Sequence, residues 1–171
     1  MPMLIIVLRA MHILGGIFWA GAAMLLYFFV VPSARATRPE SGRFMQHLAG
    51  ASGLSAWMQI ASWATVIGGI GLFAPVTGGL EPAIMRTPRG IALSVGALLA
   101  LGAFLEGLLL AGPLARKMAA IGSEMTASGK GPGAEQAQQL QAVQERLQRT
   151  GTRGAIMLAV AALLMSIARY L

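Results

Sequence analysis

The sequence predicts an all-α fold, an integral membrane four-helix bundle, and three observations carry that prediction. Of the 171 residues, 56% are hydrophobic and only 11% are charged, against about 25% charged in an ordinary soluble domain. Four charge-poor runs are bounded by charged or turn residues, and a helix crosses a hydrocarbon core of about 30 Å with about 20 apolar residues. Basic residues are unevenly divided between the segments that connect these four runs. We therefore expect a single membrane domain over residues 1–171.

The four predicted spans cover about residues 4–31, 44–76, 90–115 and 153–171. The first run is longer than the core of a secretory signal peptide, and no basic residue precedes it except Arg9, so we expect it to be retained as a helix. The fourth run is short. Arg153 and Arg169 lie at its two ends, and their long side chains can reach the lipid headgroups.

The third connection, about residues 116–152, predicts a polar helical hairpin. The segment TASGKGPG over residues 126–133 interrupts the helical pattern with glycine and proline. In the polar helix that follows, Leu140, Val143 and Leu147 recur at helical spacing. Both a solvated cytoplasmic extension and a docking site for a partner subunit agree with this pattern.

Lysine and arginine favour one side of the predicted bundle. The first and third connections hold nine of them, and the opposite side holds four. Because basic loops are retained in the cytoplasm, we expect both of these connections to be cytoplasmic and both termini to lie outside. The predicted location is the inner membrane of a bacterial cell.

Residue types that are absent exclude several kinds of chemistry. The chain has no cysteine, which excludes disulfides, iron–sulfur clusters and thiolate zinc sites. It has no aspartate either, so a Ser–His–Asp triad lacks one member. The net charge of +7 comes from loop residues without interleaved aromatic side chains. We therefore expect the lipid bilayer as the anionic partner and no nucleic acid, while a membrane-protein partner or a second copy of the chain stays open.

His12 is the ionisable residue that lies deepest in the first predicted span. Such residues usually face the bundle interior or a watery cavity. His12 precedes the hairpin turn near Arg38 by 26 residues and His47 follows it by nine, so their depths differ by about 25 Å. Two histidines of one chain therefore cannot share a haem. Met165 lies at the level of His12, which permits a His–Met axial pair, although methionine is also a common core residue.

One face of the first predicted span carries His12, Gly15, Gly16 and Trp19 at helical spacing. Its small residues permit the close approach of either a flat macrocycle or a neighbouring helix. The chain also has eleven methionines, and thioethers with imidazole suit Cu(I). Copper bound near His12 is therefore an alternative to haem.

Glu106 is an isolated carboxylate within the third predicted span. Arg153, and also His47, enter the bundle from the same side at comparable or shallower depth. The sequence therefore predicts a Glu106–Arg153 ion pair, with His47 as a further member, acting either as a structural clamp or as a proton-linked site.

The segment LRAMHILGGIFWAG, in which Arg9 precedes His12 by three positions and W-x-G follows, resembles the first helix of the copper-resistance D-like membrane proteins and of the J-type protoporphyrinogen oxidases. The closing LLMSIARYL resembles the last helix of members of that superfamily. The resemblance implies a four-helix membrane bundle in which His12 is a haem ligand and Arg9 binds a haem propionate or a porphyrin carboxylate, groups that guanidinium suits. The alternative is that the Arg9 side chain extends to the membrane surface and His12 hydrogen-bonds to a neighbouring helix.

Three functions remain open at this point. The first is a small membrane redox protein associated with haem b or another porphyrin. The second is a membrane component for copper transport or resistance, and the third is a non-catalytic accessory or assembly subunit. Any enzymatic activity would need a cofactor, since the sequence shows no pattern of a catalytic nucleophile paired with a general base.

Overall fold

The structure, a computed structural model, describes residues 2–37, 41–49, 52–128 and 133–171, and every secondary-structure element within them is helical. The helices are α1 Pro2–Leu25, α2 Val31–Ala36, α3 Ser41–Ala49, α4 Leu54–Val76, α5 Pro82–Met85, α6 Pro88–Glu106, α7 Gly112–Ser128 and α8 Ala134–Ile167. Single π-helical turns join α1 to α2 at Leu26–Val30 and α6 to α7 at Gly107–Ala111, and a 3₁₀ turn over Ala168–Tyr170 follows α8. The prediction of an all-helical fold is confirmed.

Four helical segments are long and apolar enough to cross a membrane. They are Pro2–Ala36, Leu54–Val76, Pro88–Glu124 and Glu135–Tyr170. Large apolar side chains such as Leu4, Ile17 and Leu163 are exposed on their outer surfaces. Exposed apolar surface of this extent is unusual on a soluble monomer and is consistent with contact with lipid.

The predicted second run, 44–76, is divided between two helices. The shorter α3 ends at Ala49, and α4 begins at Leu54 after Gly53, which has a φ of 72°. Glycine adopts this left-handed conformation without the steric cost that a side chain brings. The left-handed Gly53 therefore immediately precedes a new helix, and only α4 is of membrane-spanning length.

The four long segments pack in two antiparallel pairs, α1 with α4 and α6 with α8, and α1 also contacts α8. The rings of Trp19 and Phe104 meet edge to face with centroids 6.3 Å apart, and those of Trp63 and Phe104 with centroids 4.8 Å apart. Ala155 and Leu158 of α8 belong to the same buried cluster. Side chains from all four segments therefore meet around Phe104.

The two ends of the bundle are named here after short helices. The α5 end contains the start of α1, the end of α4, α5 and the 3₁₀ turn, since α1 is antiparallel to α4 and the 3₁₀ turn contacts α6. The α2 end contains α2, the start of α7 and the middle of α8. There Arg35 of α2 donates a hydrogen bond to the carbonyl oxygen of Gln144 in α8, at 3.1 Å. The first and third connections therefore lie at the same end, as four antiparallel segments require.

Helix α8 is unbroken over 34 residues, a length of about 50 Å. Its first part is polar and contacts α7, where Val143 of α8 and Ile121 of α7 are both buried. Leu140 and Leu147 are half-buried on the same helix. Residues 129–132 of the predicted hairpin turn lie outside the described residues.

Candidate functional site around His12

Glycines bring α1 and α4 into backbone contact. A Cβ atom at Gly68 would lie 2.7 Å from the carbonyl oxygen of Leu8 and 2.9 Å from the backbone nitrogen of His12. One at Gly15 would lie 2.8 Å from the carbonyl oxygen of Ala61. These separations are shorter than van der Waals contact, so the two helices can approach this closely only because both residues lack a side chain.

The imidazole of His12 lies within this contact. It is half-buried, and its Nδ1 atom is 2.7 Å from the carbonyl oxygen of Thr65. A Cβ atom at Gly69 would lie 2.9 Å from both Nδ1 and Cε1, so the missing side chain at Gly69 provides the space for the ring. The Thr65 hydroxyl donates to the carbonyl oxygen of Ala61 at 2.7 Å and is satisfied within α4.

The Thr65 carbonyl determines which nitrogen of His12 carries the proton. A carbonyl oxygen can only accept, so the hydrogen bond requires a proton on Nδ1. In the neutral ring Nε2 then carries the lone pair. Within the described part of the chain no hydrogen-bond donor or acceptor is paired with Nε2. The described contacts therefore orient His12 through Nδ1 and leave its Nε2 lone pair without a hydrogen-bond donor.

Arg9 and Gly16, the residues predicted to accompany His12, lie on the same helix. The Arg9 side chain is exposed, and it forms no ion pair with a described carboxylate. A Cβ atom at Gly16 would lie 3.6 Å from Cγ2 of Thr65, an ordinary contact distance. The face that carries His12, Gly15 and Gly16 is therefore turned towards α4.

Met165 packs against a different neighbour. A Cβ atom at Gly96 of α6 would lie 3.1 Å from Cγ and 3.4 Å from Cε of Met165. The side chain thus fills the recess over Gly96 in the α6–α8 contact, whereas His12 occupies the α1–α4 contact. The structure does not bring these two side chains together as an axial pair.

Glu106 and Arg153 form an ion pair towards the α2 end. The Oε1 atom of Glu106 is 2.5 Å from Nη2 of Arg153, and the two side chains are 21% and 60% exposed. The Oε2 atom of Glu106 is buried and has no hydrogen-bond partner among the described residues. His47, the third predicted member, is exposed on α3 and forms no ion pair with a described carboxylate.

The α1–α4 contact also borders an apolar groove of about 480 Å³. Its lining side chains are hydrophobic and include Met11, Leu14 and Phe18 of α1 with Trp57 and Ile60 of α4. His12 is not part of this lining. The groove and the imidazole are therefore separate features of the same helix pair.

Known proteins give no further guide to the site. Comparisons with protein-family models, curated proteins and solved structures found no match. The likeness of the first and last helices to the copper-resistance D-like superfamily stays an expectation from the sequence. What the site does must therefore be argued from its own geometry.

Two features of the site differ in how far the sequence indicates them. The Thr65 carbonyl is a backbone group, so no residue type marks it as the partner of His12. The pairs Gly15–Gly16 and Gly68–Gly69 do carry a signal, because paired glycines in apolar helices are typical of close helix contacts. Antiparallel alignment of the two pairs would have placed His12 beside α4.

Proposed function

We propose that this chain is an integral membrane protein that binds haem b, with His12 as an axial iron ligand through Nε2. The observation that carries the proposal is the 2.7 Å hydrogen bond between Nδ1 of His12 and the Thr65 carbonyl oxygen. Histidines that bind metals commonly donate their other ring N–H to a carbonyl or carboxylate, which fixes the tautomer and orients the ring. The Thr65 carbonyl oxygen accepts a hydrogen bond of this kind from Nδ1 of His12.

The set of available ligands favours haem over a bare metal ion. The described residues contain no group of three or more His, Cys, Asp or Glu side chains that could hold a metal. A structural zinc ion takes four protein ligands and a catalytic one takes three. Iron in haem already has four porphyrin nitrogens and is held by one or two axial side chains. A single oriented histidine therefore suits haem.

Other residues near His12 fit the remaining parts of a porphyrin. Arg9 lies one helical turn before His12 and is exposed, so its guanidinium is free to bind a propionate. Met165 packs on Gly96, and the proposal therefore includes only one axial side chain. A haem held in this way would supply one-electron redox chemistry, while the protein would position the iron through His12 and the propionates through Arg9.

The proposal also includes a location and an orientation. Four segments have the length and composition of membrane spans, and the connections at the α2 end carry nine of the thirteen basic residues. By the positive-inside rule the α2 end faces the cytoplasm and both termini lie outside, in the inner membrane of a bacterial cell. His12 and Arg9 would then lie towards the outer leaflet.

The experiment that tests haem binding uses the two histidines of the chain as a matched pair. Absorption spectra are recorded for the detergent-purified protein, oxidised and dithionite-reduced, after expression with ample haem. We expect a Soret band that shifts on reduction in the wild type and in His47→Ala, and that is lost in His12→Ala.

A featureless wild-type spectrum, or a band that persists unchanged in His12→Ala, would contradict the assignment. Titration of the haem-free protein with Cu(I) separates the copper alternative. A high Cu(I) affinity that depends on His12, in a protein with no Soret band, would replace haem with copper as the bound species.

A further inference from the structure

A groove of about 410 Å³ lies on α8 near the α2 end. It is lined by Gln148, Arg149, Thr152, Arg153, Ile156 and Met157. The four polar residues come first along the helix and the two apolar residues follow, within about 14 Å of helix axis. The groove therefore changes from polar and basic to apolar in one direction, as a phospholipid changes from headgroup to acyl chain.

The two arginines of the groove are well exposed although each has a carboxylate partner. Arg149 is 81% exposed and its Nη2 atom is 3.3 Å from Oε2 of Glu145, while Arg153 is 60% exposed and paired with Glu106. A guanidinium group has five N–H donors, and each of these contacts uses only one nitrogen. Both arginines therefore keep donors for an anion in the groove.

Other basic residues of α7 and α8 add positive charge at this end of the bundle. Arg116 and Lys117 of α7 and Arg146 of α8 are exposed, and none of them forms an ion pair with a described carboxylate. Helices α7 and α8 thus carry five basic residues, of which only Arg149 and Arg153 pair with a described carboxylate. An anion entering the groove is attracted by the remaining charge.

The position of the groove along the helix indicates where in a bilayer this anion would be. Arg153 begins the apolar part of α8, and Ile156, four residues after Thr152 and so about one helical turn further on, is half exposed. Basic side chains immediately before exposed apolar ones are typical of the headgroup level of a membrane. The polar part of the groove would lie among headgroups and the apolar part beside acyl chains.

We propose that this groove binds an anionic phospholipid, with Arg149 and Arg153 on the phosphate and the first acyl carbons along Ile156 and Met157. The hydroxyl of Thr152, which lies between the arginines in the lining, is available to the same phosphate. The proposal rests on the membrane insertion proposed above, and it is independent of haem binding.

The test compares lipids that differ only in headgroup charge. Native mass spectrometry of the detergent-purified protein is used to titrate phosphatidylglycerol and, separately, phosphatidylcholine with the same acyl chains. We expect tighter retention of phosphatidylglycerol, a loss of about five-fold in its affinity in Arg149→Gln, and no change in the matched control Arg86→Gln at the α5 end. Arg153→Gln is avoided because it leaves the mostly buried carboxylate of Glu106 without its cation, whereas Arg149→Gln leaves the more exposed Glu145.

Several outcomes would overturn the lipid site. They are equal retention of the two lipids, equal losses in Arg149→Gln and Arg86→Gln, or displacement of the lipid by inorganic phosphate, which would indicate a site for free anions. Co-flotation with liposomes separates this failure from a failure of membrane insertion. A chain that does not float overturns insertion as well, whereas one that floats without headgroup preference overturns the lipid site alone.

Discussion

The Nδ1 atom of His12 in α1 lies 2.7 Å from the carbonyl oxygen of Thr65 in α4. This bond links the first two long segments of the bundle through a half-buried side chain, next to the glycines that bring their backbones into contact. It therefore contributes to stability whether or not the other nitrogen of the ring binds iron.

Replacing His12 with alanine should lower the free energy of unfolding by about 1 to 2 kcal/mol, the range expected for a lost hydrogen bond. His47→Ala removes an exposed side chain and should change the free energy by less than about 0.5 kcal/mol. Unfolding in detergent, followed by circular dichroism of the haem-free protein, gives both values. Equal effects of the two substitutions would show that the Thr65 bond contributes nothing.

Gly68→Ala should separate α1 from α4. The added Cβ would lie 2.7 Å from the Leu8 carbonyl oxygen, and a backbone atom cannot move aside as a flexible side chain can. We expect a loss of more than about 1 kcal/mol, typical of overpacking. Gly21→Ala is the control because no atom lies within 4 Å of the new Cβ, and it should be neutral or slightly stabilising. Thermal unfolding in detergent distinguishes the two, and equal melting temperatures would contradict the close contact.

Gly151→Ala should disturb the contact between α8 and the π-helical turn that follows α1. The ring of Tyr27, in the π-helical turn, packs directly on the Gly151 backbone, so an added methyl group would overlap it. We expect Gly151→Ala to be destabilising in the wild type and much less so when Tyr27 is also replaced by alanine, which a double-mutant cycle measures. Gly154→Ala, with nothing within 4 Å of its Cβ, is the control. Additive effects of the Gly151 and Tyr27 substitutions would exclude the direct contact.

The two partners of the Glu106–Arg153 ion pair should respond differently to substitution. Arg153→Gln leaves a mostly buried carboxylate without its cation, whereas Glu106→Gln leaves an arginine that is 60% exposed and can reach solvent. We expect Arg153→Gln to lower the free energy of unfolding by about 1 to 3 kcal/mol, between the values for exposed and buried pairs, and Glu106→Gln to lower it less.

The exposed Glu145–Arg149 pair provides a matched control for that measurement. Its atoms are 3.3 Å apart at i and i+4, and removing it should change the free energy by no more than about 0.5 kcal/mol. If Arg153→Gln and Arg149→Gln lower the free energy of unfolding by equally small amounts, the Glu106–Arg153 ion pair does not clamp α6 to α8.

The helices themselves could be predicted from the sequence because run length and charge are properties of single segments. An apolar run of about 20 residues with polar ends has few alternatives to a helix. The pairing of Glu106 with Arg153 could also be predicted, because the chain positions of both residues place them at a similar depth near the same end of the bundle. A buried charge there needs an opposite charge as its partner. The division of the second run at Gly53 was harder to predict, since a single left-handed residue decides it.

The rotation of each helix about its axis could not be predicted from depth. Met165 and His12 lie at similar depths by their positions in the chain, yet one faces Gly96 and the other faces Gly69. Contacts between helices set this rotation, and they depend on the recesses that several glycines form together. A backbone acceptor such as the Thr65 carbonyl becomes specific only once those contacts exist.

Helix α8 connects the polar segment near its start to the α5 end of the bundle without a break. Glu135 and Met165 lie on the same rod, about 45 Å apart along its axis. If α8 stays straight, a tilt imposed on its polar half would also displace its far half, where Met165 packs on Gly96. A molecule bound only to the polar segment would in that case alter the α6–α8 contact at the α5 end.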